Sequence, residues 1–443
     1  MVLIIDFFLM AMPVCSSRAA ETITISLPLS KSIAARVMVA LFWSGGCLDC
    51  LTLPGADDTR ELHSALLQLK RTVEEGEENS SFLSDTKYYM GEGGTTMRFF
   101  LPVMASLPGV IGMIDCGEGQ RRRPLMPLVN ALRQVGACIK GGGTLESQPP
   151  FMVRGERLKG GEILLDASVS SQFISAIMLS APMWRDGAVV RLEGESVSYP
   201  YIRMTAEVMR RFGAQVSLGE DKVIVRPGGY TPSPLYEMES DWSAASYFYE
   251  YLLAAGDDTV VPDIYLPGLP MPGKSLQGDS RCAALMEISG ISTEKRAEGV
   301  VIRRNDDFRD RMKKVRREGF RLNLSDTPDL VPALAVGCCA ARIPYRFEGI
   351  GHLRHKECDR ISALAIELNR LGYGVECGAD FIMYDPAADY HPKGERIEIA
   401  TYGDHRMAMA FGILSVIYDN IIIKHPEVET KSFPGFRKEI AKL

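Results

Sequence analysis

SKSIAARVMVALF (30–42), TTMRFFLPVMA (95–105), SSQFISAIMLSA (170–181), DWSAASYFYEYLLAA (241–255), DTPDLVPALAVGCCAA (326–341) and DHRMAMAFGILSV (404–416) are six versions of one pattern. Each opens on Ser, Thr or Asp, several with Lys or Arg close behind, and runs on almost wholly apolar. Their starts lie 65, 75, 71, 85 and 78 residues apart. A helix that is apolar on every side is a buried helix. Its N-terminus offers unpaired N–H groups and the positive end of a dipole. Six such helices with polar, partly cationic starts predict a fold that aims helix N-termini at a negatively charged ligand.

A second periodic signal lies between them. ALRQVGACI, VMRRFGAQV, ALMEISGIS and ELNRLGYGV each end a helix pattern on a glycine, at Gly136, Gly213, Gly290 and Gly372, spaced 77, 77 and 82 residues apart. A glycine there fits the left-handed residue that closes a helix ahead of a strand. ALLQLKRTV near Lys70 reads as a fifth, degenerate copy. Each unit thus holds a buried helix, an amphipathic helix and strands, which predicts an α/β fold. The period of about 80 residues is too long for the common solenoids, whose repeats run about 20–50 residues. Six units in two domains of three is the simpler arrangement. RPGGYTPSPLYEMES (226–240), rich in Gly and Pro, is the best boundary. EEGEENSSFLSD (74–85) reads as a solvated loop.

The 443 residues exceed what one core usually serves. Charged residues make up 24% of the chain and the net charge is −6, which excludes a general nucleic-acid binder. The ten cysteines have no disulfide-scaffold spacing and several fall in apolar runs, so a reducing cytoplasm is expected. Cys47 and Cys50 form a lone CxxC with no second ligand pair, and no metal is expected. MVLIIDFFLMAMPVC (1–15) has no basic residue ahead of its apolar run and is too short to span a bilayer. It reads as a buried strand, or as an over-extended start upstream of Met10 or Met12. No membrane association is expected.

RHKECDR (354–360) packs cations and carboxylates into seven residues. On a helix, Lys356 and Arg360 would share a face. Taken alone, a salt-bridged surface helix start explains it equally well. Arg406 and Lys31, however, stand at the starts of buried helices, where a charge needs a partner or a ligand. GEGGTTMR (91–98) is a glycine-rich turn into a helix, suited to an anion, and is not a P-loop. RRRP (121–124) would by itself be a surface cluster, and SSQ (170–172), Asp326 and Asp329 simple helix caps.

In this order, LPLSKSIAAR, GEGGTTMR, RRRPLMPLVNALRQVGA, SVSSQFISA, SYPYIRMT, DWSAASYF, DTPD, LRHKECDR, DHRMAM and KSFPGF closely resemble the motifs of the 5-enolpyruvylshikimate-3-phosphate synthase family of enolpyruvyl transferases. The likeness runs from about Thr22 to the C-terminus. It implies two similar domains, each of three βαβαββ units around buried parallel helices, the inside-out barrel of enolpyruvyl transferases. The chain would cross between them near Pro28 and Ser240. Residues 28–239 would then form one domain, and 1–27 with 240–443 the other.

The resemblance implies transfer of the enolpyruvyl group of phosphoenolpyruvate to the 5-hydroxyl of shikimate 3-phosphate, without metal or organic cofactor, by a monomer. It carries over Ser32, Arg36, Ser170, Ser171, Gln172, Ser198, Tyr201, Asp326 and Lys356 for shikimate 3-phosphate. It carries over Lys31, Gly94, Arg123, Gln172, Arg360, Arg406 and Lys431 for phosphoenolpyruvate. Asp326 matches the proton acceptor and Glu357 the proton donor, with Lys31 stabilising charge. Glu357 must then be protonated when it acts, so burial has to oppose the pull of nearby cations.

Some positions depart from the family. Leu29 stands for a Gly, Ala34-Ala35 for Ser-Asn, Glu92-Gly93 for Asn-Ala and His352 for an Asn, and the loop before Arg123 is one residue shorter. Glu92 would repel phosphoenolpyruvate if it faced inward. Two alternatives stand beside this reading. One is a non-catalytic anion-binding relative. The other is the transferase acting on UDP-N-acetylglucosamine, which has Lys-Asn where this chain has Lys31-Ser32 and a reactive Cys closer to its Arg-Pro than Cys116 is to Arg123.

Overall fold

The computed structural model describes residues 21–79, 86–143, 146–166, 170–194, 198–232, 236–390 and 396–443. The apolar N-terminal stretch lies outside them. All six apolar segments are helices: Lys31–Trp43, Gly94–Ala105, Ser171–Ser180, Trp242–Ala254, Val331–Ala340 and His405–Ile417. Almost every residue in them is buried, as their unbroken apolar character requires. The amphipathic helices Met126–Gln134, Tyr199–Arg211, Arg281–Ile288 and Arg360–Arg370 follow four of them. Gly136, Gly213, Gly290 and Gly372 close these four at φ of +102°, +81°, +83° and +92°.

Four of the six units share one topology. In four sheets the strands lie in the order first, second, fourth, third. The first pair is parallel and the other two pairs antiparallel, as for Gly161–Asp166, Ala188–Glu193, Val216–Leu218 and Lys222–Val225. Four units therefore carry the whole βαβαββ set. The unit around His405–Ile417 has a parallel pair, Ile397–Ile399 with Ile421–Ile423. The unit around Lys31–Trp43 packs that helix on helix Asp57–Asn79 and has no strand of its own among the described residues.

One unit is split. Its first strand, Thr22–Thr24, pairs in parallel with Asp263–Pro267, while its helices begin at Trp242. The chain leaves and returns along paired segments. Leu29 bridges Ser240, the Ser30 N–H donates to the Glu239 carbonyl at 2.8 Å, and the Asp241 N–H donates to the Pro28 carbonyl at 2.9 Å. Two apolar cores result. One draws on residues from Ile33 to Val225, the other on Ile25 and residues from Trp242 to Ile440.

Three local expectations fail. The acidic stretch from Glu74 is helical as far as Asn79, because Glu favours helix and the Asp57 helix continues through it; residues 80–85 lie outside the described set. For the same reason the pattern near Lys70 ends no helix. Cys47 and Cys50 are joined by a disulfide, which cysteine spacing alone did not indicate. An additional helix, Phe308–Glu318, buries Phe308, Met312 and Val315 beneath a charged outer face. Among the described residues no helix is long and apolar enough to cross a membrane, and no His, Cys, Asp and Glu cluster could hold a metal.

Candidate active site

The polar starts of five of the six buried helices, all but Trp242–Ala254, converge on a cavity between the two cores. Lys31, Arg36, Arg98, Arg123, Lys356, Arg360 and Arg406 line it, against the carboxylates Asp58, Asp329 and Glu357. Seven cations face three carboxylates, a surplus of four positive charges in a chain of net charge −6. Ser32, Gly94, Thr95, Ser170, Ser171, Gln172, Ser198, Tyr201, His352, His355 and His405 complete most of the wall.

The helix starts differ in what they leave free. Ser170, Asp241 and Asp404 accept N–H bonds from Gln172, Ala244 and Arg406 and so cap their own helices. The Lys31 and Gly94 helices have no side-chain cap, so their first N–H groups stay open to an anion. At Gly94 a Cβ would lie 2.4 Å from Arg123 Nη1 and 2.5 Å from Arg98 Nη1. Only glycine lets both guanidiniums approach that helix start.

Two of the four cations from the first core, Arg36 and Arg98, meet neutral partners. Arg36, 2% exposed, donates to Thr205 Oγ1 at 2.7 Å, the Ser32 carbonyl at 2.7 Å, Ser175 Oγ at 3.2 Å and the Tyr201 carbonyl at 3.3 Å. Burial pushes its pKa down to about 10. Arg98 donates to Gln172 Oε1 and the Pro124 carbonyl, and burial, with Arg123 nearby, holds it well below the usual range. Lys31, 3.1 Å from Asp58 Oδ2, and Arg123, 3.8 Å from Glu357, are the exceptions.

The second core holds its cations in an ion network. Arg360, 1% exposed, reaches Asp404 at 2.6 Å, Glu357 at 2.7 Å and Asp329 at 3.1 Å. Arg406 reaches Asp329 at 2.7 Å. Burial opposes the charge on both arginines, but their carboxylates prevail and raise their pKa values. Lys356 is pushed down to about 8, by burial first and against the pull of Asp329.

Glu357 stands where the halves meet. Arg360 lies 2.7 Å from it, Lys431 3.4 Å and Arg123, from the other core, 3.8 Å. Burial raises its pKa, but Lys431, Arg360 and Arg123 outweigh burial and hold the carboxyl well below the usual range. With no ligand Glu357 is ionised, contrary to the balance expected for a proton donor. Tyr201 Oη donates to Asp329 at 3.0 Å, the Ser198 N–H to the Ser325 carbonyl at 2.9 Å and the Tyr199 N–H to Asp326 at 3.1 Å, further joining the halves.

Asp326, Glu357 and Lys31 do not all face one space. Asp326 is turned to the Tyr199 N–H and is not among the cavity's lining residues; Asp329, read from sequence only as a cap, takes that place. Lys431 lines an adjoining cavity that shares Asp58, Arg123 and Glu357 with the first. Lys356 and Arg360 share no helix face, because Asp359 caps a helix that starts only at Arg360. Sequence reading also passed over Arg98, Thr95 and His405 as lining residues, although each directly adjoins or completes a quoted motif. Glu92 accepts from the Gln120 N–H at 3.0 Å, on the short helix Glu118–Arg121, and lines the adjoining cavity with Lys431 rather than the main one.

Two linked α/β cores with a cationic cavity between their helix starts define a transferase-type anion site on an enolpyruvyl-transferase fold. The chain belongs to the EPSP synthase (3-phosphoshikimate 1-carboxyvinyltransferase) family, whose model matches residues 18–440. It is 37% identical over 427 residues to a 3-phosphoshikimate 1-carboxyvinyltransferase of Bacteroides fragilis, covering 95% of this chain and 94% of that one. It is 31% identical to the enzyme of that name from Methanospirillum hungatei, covering 97% and 96%. A solved EPSP synthase from Acinetobacter baumannii has the same fold, with a TM-score of 0.68, 22% identity and 96% of each chain covered.

Proposed function

We infer that this chain transfers the enolpyruvyl group of phosphoenolpyruvate to the 5-hydroxyl of shikimate 3-phosphate, releasing phosphate. The observation that carries the reading is the surplus of four positive charges at the helix starts. Both substrates carry a phosphate and a carboxylate, which guanidinium and ammonium groups bind through charge-assisted hydrogen bonds.

Shikimate 3-phosphate is assigned to Ser32, Arg36, Ser170, Ser171, Gln172, Ser198, Tyr201, Asp326 and Lys356. Phosphoenolpyruvate is assigned to Lys31, Gly94, Arg123, Gln172, Arg360, Arg406 and Lys431. In the first step the ring 5-hydroxyl of shikimate 3-phosphate loses its proton and its oxygen bonds to C2 of phosphoenolpyruvate, while C3 gains a proton. In the second step the new methyl group loses a proton and phosphate departs. Glu357 is the donor to C3, and Asp326 accepts the hydroxyl proton on turning from the Tyr199 N–H toward the bound substrate. Phosphoenolpyruvate brings negative charge to Arg123, Arg360 and Lys431, the cations that keep Glu357 ionised. Binding therefore raises the Glu357 pKa and readies the carboxyl to carry a proton. Lys31 stabilises charge on the intermediate.

Residues 28–239 serve as one domain and 240–443, joined by 21–27, as the other, and their approach excludes water from the substrates. The test is phosphate release from phosphoenolpyruvate with shikimate 3-phosphate or UDP-N-acetylglucosamine as acceptor. Release with the first alone is expected. Release with the second alone, or with neither, would reject the assignment.

A further inference from the structure

The CxxC turn plays no part in the chemistry above. Cys47 and Cys50 follow the Lys31 helix, in the segment that leads to the Asp57 helix. Both residues are exposed, and their Cα atoms lie 5.4 Å apart, a spacing a disulfide spans. They line an open groove whose walls come from both sides of the chain crossing, Leu29 and Leu41 on one side and Gly268 and Glu298 on the other.

The other described cysteines contrast with them. Cys116, Cys282, Cys338 and Cys339 are buried, Cys138 and Cys358 half-buried, and the exposed Cys377 has no disulfide partner. Burial pushes the Cys116 thiol up to about 12 and the Cys282 and Cys338 thiols higher still, so these stay protonated and inert. Exchange with an external thiol requires access to sulfur and a second sulfur within reach. Among the described residues only Cys47 and Cys50 meet both requirements.

We propose that Cys47 and Cys50 form a reversible redox-modification site that takes dithiols as reductants and disulfides as oxidants. In reduction, one thiolate of the dithiol attacks a sulfur of the pair, forms a mixed disulfide and displaces the other cysteine as a thiolate. The second thiol of the reductant then closes on its own mixed-disulfide sulfur. Two electrons and two protons pass to the protein, which ends with two thiols, and the reductant ends as a disulfide. A disulfide oxidant reverses each step and leaves as two thiols. The inference is independent of the enolpyruvyl-transfer reading.

Residues 37–60 form a single tryptic peptide that holds these two cysteines and no other. The native full chain is treated with glutathione disulfide, then with dithiothreitol or a CxxC protein dithiol, then trapped with N-ethylmaleimide and mapped by mass. The expected peptide is unlabelled and two hydrogens lighter after the oxidant, carries two labels after a dithiol, and is unlabelled again after renewed oxidant. Faster reduction by the protein dithiol at equal thiol concentration assigns a protein partner; equal or slower reduction assigns a small dithiol. Two labels after the oxidant, or an oxidised pair that neither dithiol reopens, would overturn the proposal. In Cys50→Ser, Cys47 should carry a label after a dithiol and a single glutathione, not a label, after glutathione disulfide; a mass showing Cys47 joined to another cysteine of the chain would mean pairing outside the turn and would also overturn it.

Discussion

Two arginines of each half are similarly buried and oppositely held. Arg36 and Arg98 of the first are each 2% exposed and donate to hydroxyls, carbonyls and an amide. Arg360 and Arg406 of the second are 1% and 5% exposed and are tied to Asp404, Glu357 and Asp329. A buried charge without a countercharge is costly, whereas one in a network is stabilised at its carboxylates' expense in hydration. The first half thus supplies uncompensated positive charge that an anion relieves. The second supplies an ion network that holds Glu357 in place and sets its charge.

The largest effect expected from this contrast is at Glu357. Glu357→Gln keeps the side chain's shape and removes the proton it carries, so turnover should fall by about 10²–10⁴-fold with KM values near wild type. Steady-state phosphate release checks this; unchanged turnover would sever the network from the chemistry.

Next in size is a pair of stability tests. Asp404→Asn takes a full charge from Arg360 and should cost about 3–5 kcal/mol of unfolding free energy. Arg36→Met removes a charge that has no carboxylate partner, and Thr205 still donates to Ser175 at 2.8 Å. Its ligand-free stability should match or exceed wild type while shikimate 3-phosphate binding is lost. Denaturant unfolding and calorimetric titration separate the outcomes, and equal destabilisation by both variants would erase the contrast.

A pH profile sharpens it. Lys356, pushed down to about 8 by burial, is charged below that pH and neutral above it. The kcat/KM of the free enzyme should therefore hold up to pH 8 and fall by about tenfold per pH unit beyond it. Lys356→Arg, which stays charged, should move the fall to higher pH.

The smallest effect belongs to Glu92. Its bond to the Gln120 N–H resembles a helix cap, so Glu92→Ala should cost about 1 kcal/mol of stability. The KM for phosphoenolpyruvate should change little, because the Gln120 N–H holds the carboxylate, although it shares the adjoining cavity with Lys431. A lowered KM would mean that the group repels substrate.

The buried helices were legible because a helix apolar on all sides leaves a simple mark in sequence, and the closing glycines because each adopts a positive φ. The Phe308–Glu318 helix carried its own mark, apolar at 308, 312 and 315, hidden among charges. Cations at buried starts, such as Lys31 and Arg406, announced an anion site. What sequence could not convey is direction. Asp326 and Asp329 lie three residues apart, and only the 3₁₀ turn at Pro328–Leu330 decides that Asp329 lines the cavity and Asp326 meets Tyr199. Whether Glu92 faces in or out depends in the same way on the distant Glu118–Arg121 helix. The sign of the Glu357 shift depends on Arg123 and Lys431, 234 and 74 residues away along the chain.

The central claim is that uncompensated charge from one half and the Glu357 network from the other act on two anions at one junction. Phosphorus NMR of the wild-type chain with equimolar shikimate 3-phosphate and phosphoenolpyruvate tests it directly. The account predicts loss of both substrate signals together, with one inorganic phosphate appearing for each new enolpyruvyl ether that retains the 3-phosphate. Phosphate appearing without the ether, or both substrates persisting unchanged, would contradict it.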